Sequence, residues 1–250
     1  DHRDLHSFPT RRSSDLIVVL AIGGAIFVSR QEEAGLTNNI NVNAIQTASA
    51  DNGNIADHTF GTGAKVTLVE YGDYQCPGCD SAASVIKQLT EKYKDKLTFV
   101  FRNKMMPYHS NARAAASFAE AAGLQGKYWE MHDKLYATQS TWANLPASNE
   151  RTDYFANLIK EIGGDPEKAK TTIESDDIIK KLNFDEALSN QQGVTSTPSF
   201  YLNGKDVGSL YVLDGKLVTK ATNGAQLIWS SAEDFDKLVL QPAFKEAGIE

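Results

Sequence analysis

Residues Val66–Cys79 read VTLVEYGDYQCPGC. The first six hold a short apolar, β-branched run, as a buried strand does. Beyond the cysteines, Ala82, Val85, Ile86, Leu89 and Tyr93 recur at helical spacing, with Lys87, Glu91, Lys92 and Lys94 between them. Leu97–Phe101 (LTFVF) is a second strand by the same signs. Strand, helix and strand in succession predict a βαβ unit with a right-handed crossover.

Cys76-Pro77-Gly78-Cys79 falls where the strand hands over to the helix. The first turn of a helix has unpaired N–H groups and a partial positive charge, so it favours an anion. A cysteine there ionises readily, and a thiolate is both the nucleophile and the better leaving group of disulfide exchange. Pro77 suits the first turn, where its missing N–H loses nothing. These are the only two cysteines of the chain. They form no framework of distant bridges and supply no Cys-rich zinc site, and the histidines show no metal-ligand spacing. Neither cofactor nor metal is expected. CxxC in a βαβ context reads as a redox pair.

The rest of the chain is organised around this unit. Residues 107–192 are mostly helical, with Ser110 as the expected cap of the alanine-rich run to Ala122 and Gly193 as the stop after Gln192. Ser199–Leu202 is a third strand with Asn203-Gly204 as its turn, and Tyr211–Val218 is a hairpin about Asp214-Gly215. A last helix begins near Ser231. The expected fold is α/β, with a helical insertion between the second and third of these strands.

The N-terminal region reads differently. Residues 1–16, DHRDLHSFPTRRSSDL, resemble a sequencing-adapter oligonucleotide translated in one frame and are set aside. Leu16–Val28 is an apolar run of thirteen residues, short of the roughly 20 that span a bilayer. Residues 17–30 are expected to be a truncated transmembrane anchor or a signal segment. Residues 31–56, rich in Asn, are expected to be a flexible linker spanning about 25–30 Å, and residues 57–250 the folded domain. The net charge of −7 and the lack of a basic stripe argue against a nucleic-acid partner.

Asp57-His58, then VTLVEYGDYQCPGC, residues 101–123 (FRNKMMPYHSNARAAASFAEAAG), 126–136 (GKYWEMHDKLY) and 193–204 (GVTSTPSFYLNG) together resemble the DsbA-like thioredoxin family of bacterial disulfide-bond proteins. The resemblance covers Ala56 to Gly204 and leaves the C-terminal hairpin unexplained. It implies that Cys76 is the exposed nucleophile and Cys79 the buried resolving cysteine. Thr197-Pro198 would form a cis-proline loop that, with Pro77 and Gly78, borders the substrate. Glu70, six residues before Cys76, would lie beneath Cys79 and exchange its proton. The implied protein is a monomeric, extracytoplasmic enzyme that oxidises cysteine-containing secreted proteins and is reoxidised by a membrane thiol oxidase. The motif alone leaves two alternatives: a reductase or isomerase of the same fold, and a membrane-tethered peptide-binding chaperone module.

Overall fold

The computed structural model describes residues 40–63 and 65–249. The expected adapter segment and the apolar segment 17–30 lie outside them. No helix among the described residues is long and apolar enough to cross a membrane.

The central sheet has five strands, β1 (His58–Phe60), β2 (Thr67–Gly72), β3 (Thr98–Asn103), β4 (Ser199–Leu202) and β5 (Lys205–Asp206), in the order β1-β3-β2-β4-β5. β2 and β3 run parallel, with Glu70 opposite Phe101, and are joined by helix α1 (Pro77–Lys92). The other pairings are antiparallel. The βαβ unit therefore stands as the sequence predicts. Edge strand β1 was not foreseen: at three residues it is too short to show a period.

Alternation along the strands assigns the two faces. Val66 and Leu68 join Phe99 and Phe101 in the larger core, under α1. Val69, Tyr71 and Val100 point the other way, toward Phe184, Leu188 and Val194. By the same alternation Glu70 points into the α1 side, where every neighbouring position of its strand is apolar.

Between β3 and β4 lie α2 (Ala112–Gly123), α3 (Tyr128–Ala137), α4 (Gln139–Trp142), α5 (Asn149–Glu161), α6 (Pro166–Thr172) and α7 (Asp176–Gln192). The helical insertion is thus where the sequence places it. Ser110 does not cap α2. Asn111 is the N-cap residue, and its side chain instead donates to the carbonyls of Trp142, Ala143 and Leu145.

The C-terminal part adds a second sheet, β6 (Tyr211–Leu213), β7 (Lys216–Val218) and β8 (Gln226–Leu227), in the order β7-β6-β8. Asp214 and Gly215 both have positive φ, 51° and 70°, as the type I′ hairpin requires. The final helical stretch starts with Ser231 Oγ accepting from Asp234 N–H in α8 (Ala232–Phe235). It continues through a π-helical turn at Asp236–Leu240 into α9 (Gln241–Glu246).

One expectation needs correction. The described part of the 31–56 linker, residues 40–56, is docked rather than free. Ile40, Val42, Ile45 and Ile55 pack on the second face of the sheet. The Arg102 side chain, wholly buried, donates to the carbonyls of Val42 and Ala44 at 2.6 and 2.8 Å, to Asp57 and to the Tyr71 hydroxyl. The physical reason is that a buried guanidinium has five N–H donors to satisfy, and this segment accepts two of their bonds. Its scattered apolar residues do the rest, and the surrounding Asn residues hide them from a compositional reading.

Candidate active site

Cys76 is the N-cap residue of α1, with extended backbone (φ −72°, ψ 123°), and Pro77 opens the helix. The turn before it is built by Asp73, which is buried. One carboxylate oxygen accepts from Gln75 N–H at 2.8 Å; the other accepts from Met106 N–H and pairs with His109 Nδ1, both at 2.8 Å. Cys76 N–H closes the turn on the Asp73 carbonyl. Gln139, from α4, donates to the carbonyls of Tyr74 and Cys76 at 2.8 and 2.9 Å. Sequence reasoning gave neither Asp73 nor Gln139 a role. An Asp two residues before Gln75 is a local turn signal that could have found the first; Gln139 is brought in only by tertiary contact.

Cys76 is 9% exposed and Cys79 fully buried. The nucleophile implied by the resemblance is thus the more accessible of the two, though largely covered. Its cover is the loop before β4: Cys76 Sγ donates to the Thr197 carbonyl at 3.3 Å, and the Thr197–Pro198 bond is cis. Gly78 eases this approach. A Cβ there would lie 3.1 Å from Pro198 Cδ and 3.6 Å from both Cys76 Sγ and the Thr197 carbonyl oxygen. Cys76, Pro77, Gly78, Cys79, Thr197 and Pro198 therefore meet in one place. A cleft of about 460 Å³ opens beside the loop, bordered by Pro198, Tyr201, Asp206, Tyr211 and Trp229.

The two thiols are electrostatically unlike. Hydrogen bonding from Cys79 is the largest cause that brings the Cys76 thiol down to about 5. The N–H groups of Cys79 and Gly78 assist, against the opposing effect of burial. Burial pushes the Cys79 thiol well up, and the hydrogen bond to Cys76 and the nearby Glu70 charge push it further. Asp73 N–H points at Cys79 Sγ at 3.4 Å. Glu70 is 2% exposed; burial first, and the Cys76 charge second, raise its carboxyl to about 8. Glu70 and Cys79 thus feel each other inside the α1 side of the core. Among the described residues no group of His, Cys, Asp and Glu is arranged to hold a metal ion.

A thioredoxin family model matches residues 54–215, more than half the chain. The chain belongs to the thioredoxin family. Within that family its architecture is DsbA-like. Oxidised BdbD from Bacillus subtilis superposes with a TM-score of 0.58 at 19% identity, covering 77% of this chain and 93% of that one. The alpha-DsbA1 protein of Wolbachia pipientis gives 0.57 at 20% identity, covering 76% and 92%. Curated relatives by sequence have a different name. The Na(+)/H(+) antiporter NhaA 1 of Salinispora arenicola is 33% identical over 177 residues, which are 68% of this chain and 26% of that protein. The chain spans about a quarter of the length of these antiporters. The thioredoxin match ends at Gly215, so most of the second sheet and the C-terminal helices lie beyond it.

Proposed function

We propose that this thioredoxin-family protein is a thiol:disulfide oxidoreductase that forms disulfides in cysteine-containing secreted or cell-envelope proteins. The observation that carries the reading is the unequal thiol pair: Cys76 down to about 5 at the start of α1, Cys79 well up beneath it. In the reaction a substrate thiolate attacks Cys76 Sγ of the oxidised pair. The Cys76–Cys79 bond breaks, Cys79 leaves as a thiolate, and the Glu70 carboxyl supplies its proton. A second substrate thiolate then attacks the substrate sulfur of the mixed disulfide and expels Cys76, already stable as a thiolate. Two electrons have passed to the enzyme and a disulfide to the substrate. Reoxidation by a membrane thiol oxidase completes the cycle. The Thr197–Pro198 loop and the adjoining cleft hold the substrate segment against Cys76.

Stabilising the Cys76 thiolate stabilises the reduced enzyme and so makes the disulfide oxidising. This favours the oxidase direction over reduction. Disulfides persist outside the cytoplasm, so the proposal places the domain there, held by the apolar segment upstream of residue 31. No transport activity is carried over from the antiporters, of which the matching segment is a minor part. Equilibration against glutathione tests the reading. A potential far above about −270 mV, the thioredoxin value, is expected; a value at or below it would make the protein a reductase. Retention of full activity by Cys76→Ser would instead identify a binding module.

A further inference from the structure

His132 is one residue whose chemistry the mechanism above leaves unused. It lies on α3 with about 7% of its surface exposed, inside a box of aromatic rings. The Phe101 ring stands edge-on to it at 4.9 Å, and those of Tyr136, Trp129 and Tyr74 lie at 5.1, 5.2 and 5.7 Å. Phe101 is the cross-strand neighbour of Glu70. On one side of the imidazole, Nδ1 lies 3.2 Å from Asp133 Oδ1. A carboxylate can only accept, so Nδ1 has the hydrogen and Nε2 is left as a bare acceptor. Nε2 is buried and has no hydrogen-bond partner in the protein.

A cavity of about 30 Å³ is lined by both Glu70 and His132. That volume exceeds the roughly 10–15 Å³ that a water needs. Its walls grade from buried to open. Glu70 is inside, His132 next, and the Lys87–Asp133 ion pair, at 2.6 Å, is half exposed at the outer side. The same ion pair borders a second, wider cavity of about 220 Å³ at the first turns of α1. The cavity is thus lined by a carboxylic acid that donates and by the ring of an imidazole whose Nε2 is unpartnered, with charged groups at its outer side.

We propose that His132 is the relay through which Glu70 exchanges protons with solvent during thiol–disulfide exchange. The inference rests on the oxidoreductase reading and deepens it. When Cys79 is expelled it takes the Glu70 proton. Glu70 is then a carboxylate and is reprotonated through a cavity water from Nε2–H of the other His132 tautomer, while Nδ1 takes up a proton by way of Asp133, which leaves the Nδ1–H, bare-Nε2 ring seen with both thiols free. When the pair is reoxidised the flow reverses. The Cys79 proton passes to Glu70, from there through water to Nε2, and the Nδ1 proton leaves to Asp133. No electron moves in these steps, and one proton enters or leaves per exchange. Burial keeps the imidazole pKa low, against the opposing pull of Asp133, so the ring stays neutral between transfers. The charged and titratable groups that face this path are Glu70 on β2, Tyr74 in the turn before α1, Lys87 and Glu91 on α1, Tyr128, Asp133 and Tyr136 on α3, and His58 on β1.

A relay changes rates and leaves equilibria alone, and this separates it from a packing role. In His132→Gln the single-turnover rate of exchange with a small dithiol is expected to fall at least tenfold near neutral pH, while the Cys76–Cys79 equilibrium with glutathione moves less than twofold. His132→Ala should slow likewise and be restored by added imidazole. Asp133→Asn, at a half-exposed site, gives a second probe that keeps the ring in place and should show a smaller rate loss. Unchanged rates in all three, a rate loss matched by an equal change in the equilibrium, or no rescue by imidazole would overturn the relay. Hydrogen–deuterium exchange of the Glu70 carboxyl, followed by its C=O band without any thiol substrate, keeps the two proposals apart. Slowed exchange in His132→Gln supports the relay even if the parent oxidises no protein, an outcome that would defeat only the functional reading.

Discussion

Cys76 and Cys79 are three residues apart in one helical turn, yet their thiols are shifted in opposite directions, Cys76 down and Cys79 up. Brief alkylation of the reduced protein at pH 6–7 is therefore expected to label Cys76 and spare Cys79, with the rate rising through a midpoint near 5. Preferential labelling of Cys79 would reverse the assignment. The same contrast sets the pH dependence of the potential. Below about 5 both thiols take up a proton on reduction; above it only Cys79 does. With about 30 mV per proton for a two-electron couple, the potential should fall by about 60 mV per pH unit below that point and about 30 mV above it. Glu70 supplies a third prediction, with its sign. Its carboxyl is raised from 4.5 to about 8 in the folded protein. Between those values the folded state keeps a proton that the unfolded chain has released, so stability declines as pH rises through the window. Glu70→Gln should abolish that decline and stabilise the protein at pH 8.5 by roughly 1–4 kcal/mol, with little change at pH 4. Denaturant unfolding at the two pH values measures it; an equal effect at both would refute the buried titration.

The elements that hold these residues were visible in the sequence to very different degrees. β2, α1 and β3 could be read because each follows a local period, and the two turns at Asn203-Gly204 and Asp214-Gly215 because only such pairs accept positive φ twice. The position of Glu70 on the α1 side follows from the period of two. What the period cannot convey is which loop meets which. Asp73 ties the active-site turn to Met106 and His109, more than thirty residues on, and Gln139 clamps it from a helix farther still. Asp73→Ala is expected to strip acceptors from the Met106 and Gln75 N–H groups and destabilise the protein by about 1–3 kcal/mol, read by denaturant unfolding. If the turn is what positions Cys76, exchange should slow in the same variant. Native stability and native rates together would show that Asp73 is dispensable.

At the scale of the whole molecule, two sets of buried charges join parts that sequence reading kept separate. Arg102 ties residues 42–57 to the sheet, with Asp57 held below the usual carboxylate range by the guanidinium despite its burial. On α7, Lys181 pairs with Asp185 at 2.6 Å; Asp185 accepts from Asn103, which also donates to Glu120, and Glu120 pairs with His58 of β1. The insertion is thereby fixed to the sheet through polar groups as well as apolar ones. Arg102→Met should leave Asp57 charged and unpaired in the interior and destabilise the protein by about 3–5 kcal/mol. It should also expose residues 40–56 to proteolysis before the rest of the domain. Cleavage at the parent's rate would show that the apolar contacts of that segment suffice.

The missing side chain at Gly78 has a consequence for how such a site can change. Because a Cβ there would reach Pro198 Cδ, Cys76 Sγ and the Thr197 carbonyl together, the pair of residues between the cysteines and the loop before β4 are two halves of one part, though they lie over a hundred residues apart in the chain. Grafting either half alone from another protein of this fold would bring a mismatched surface to Cys76. Grafting both would keep that surface matched, so the two stretches are expected to change together.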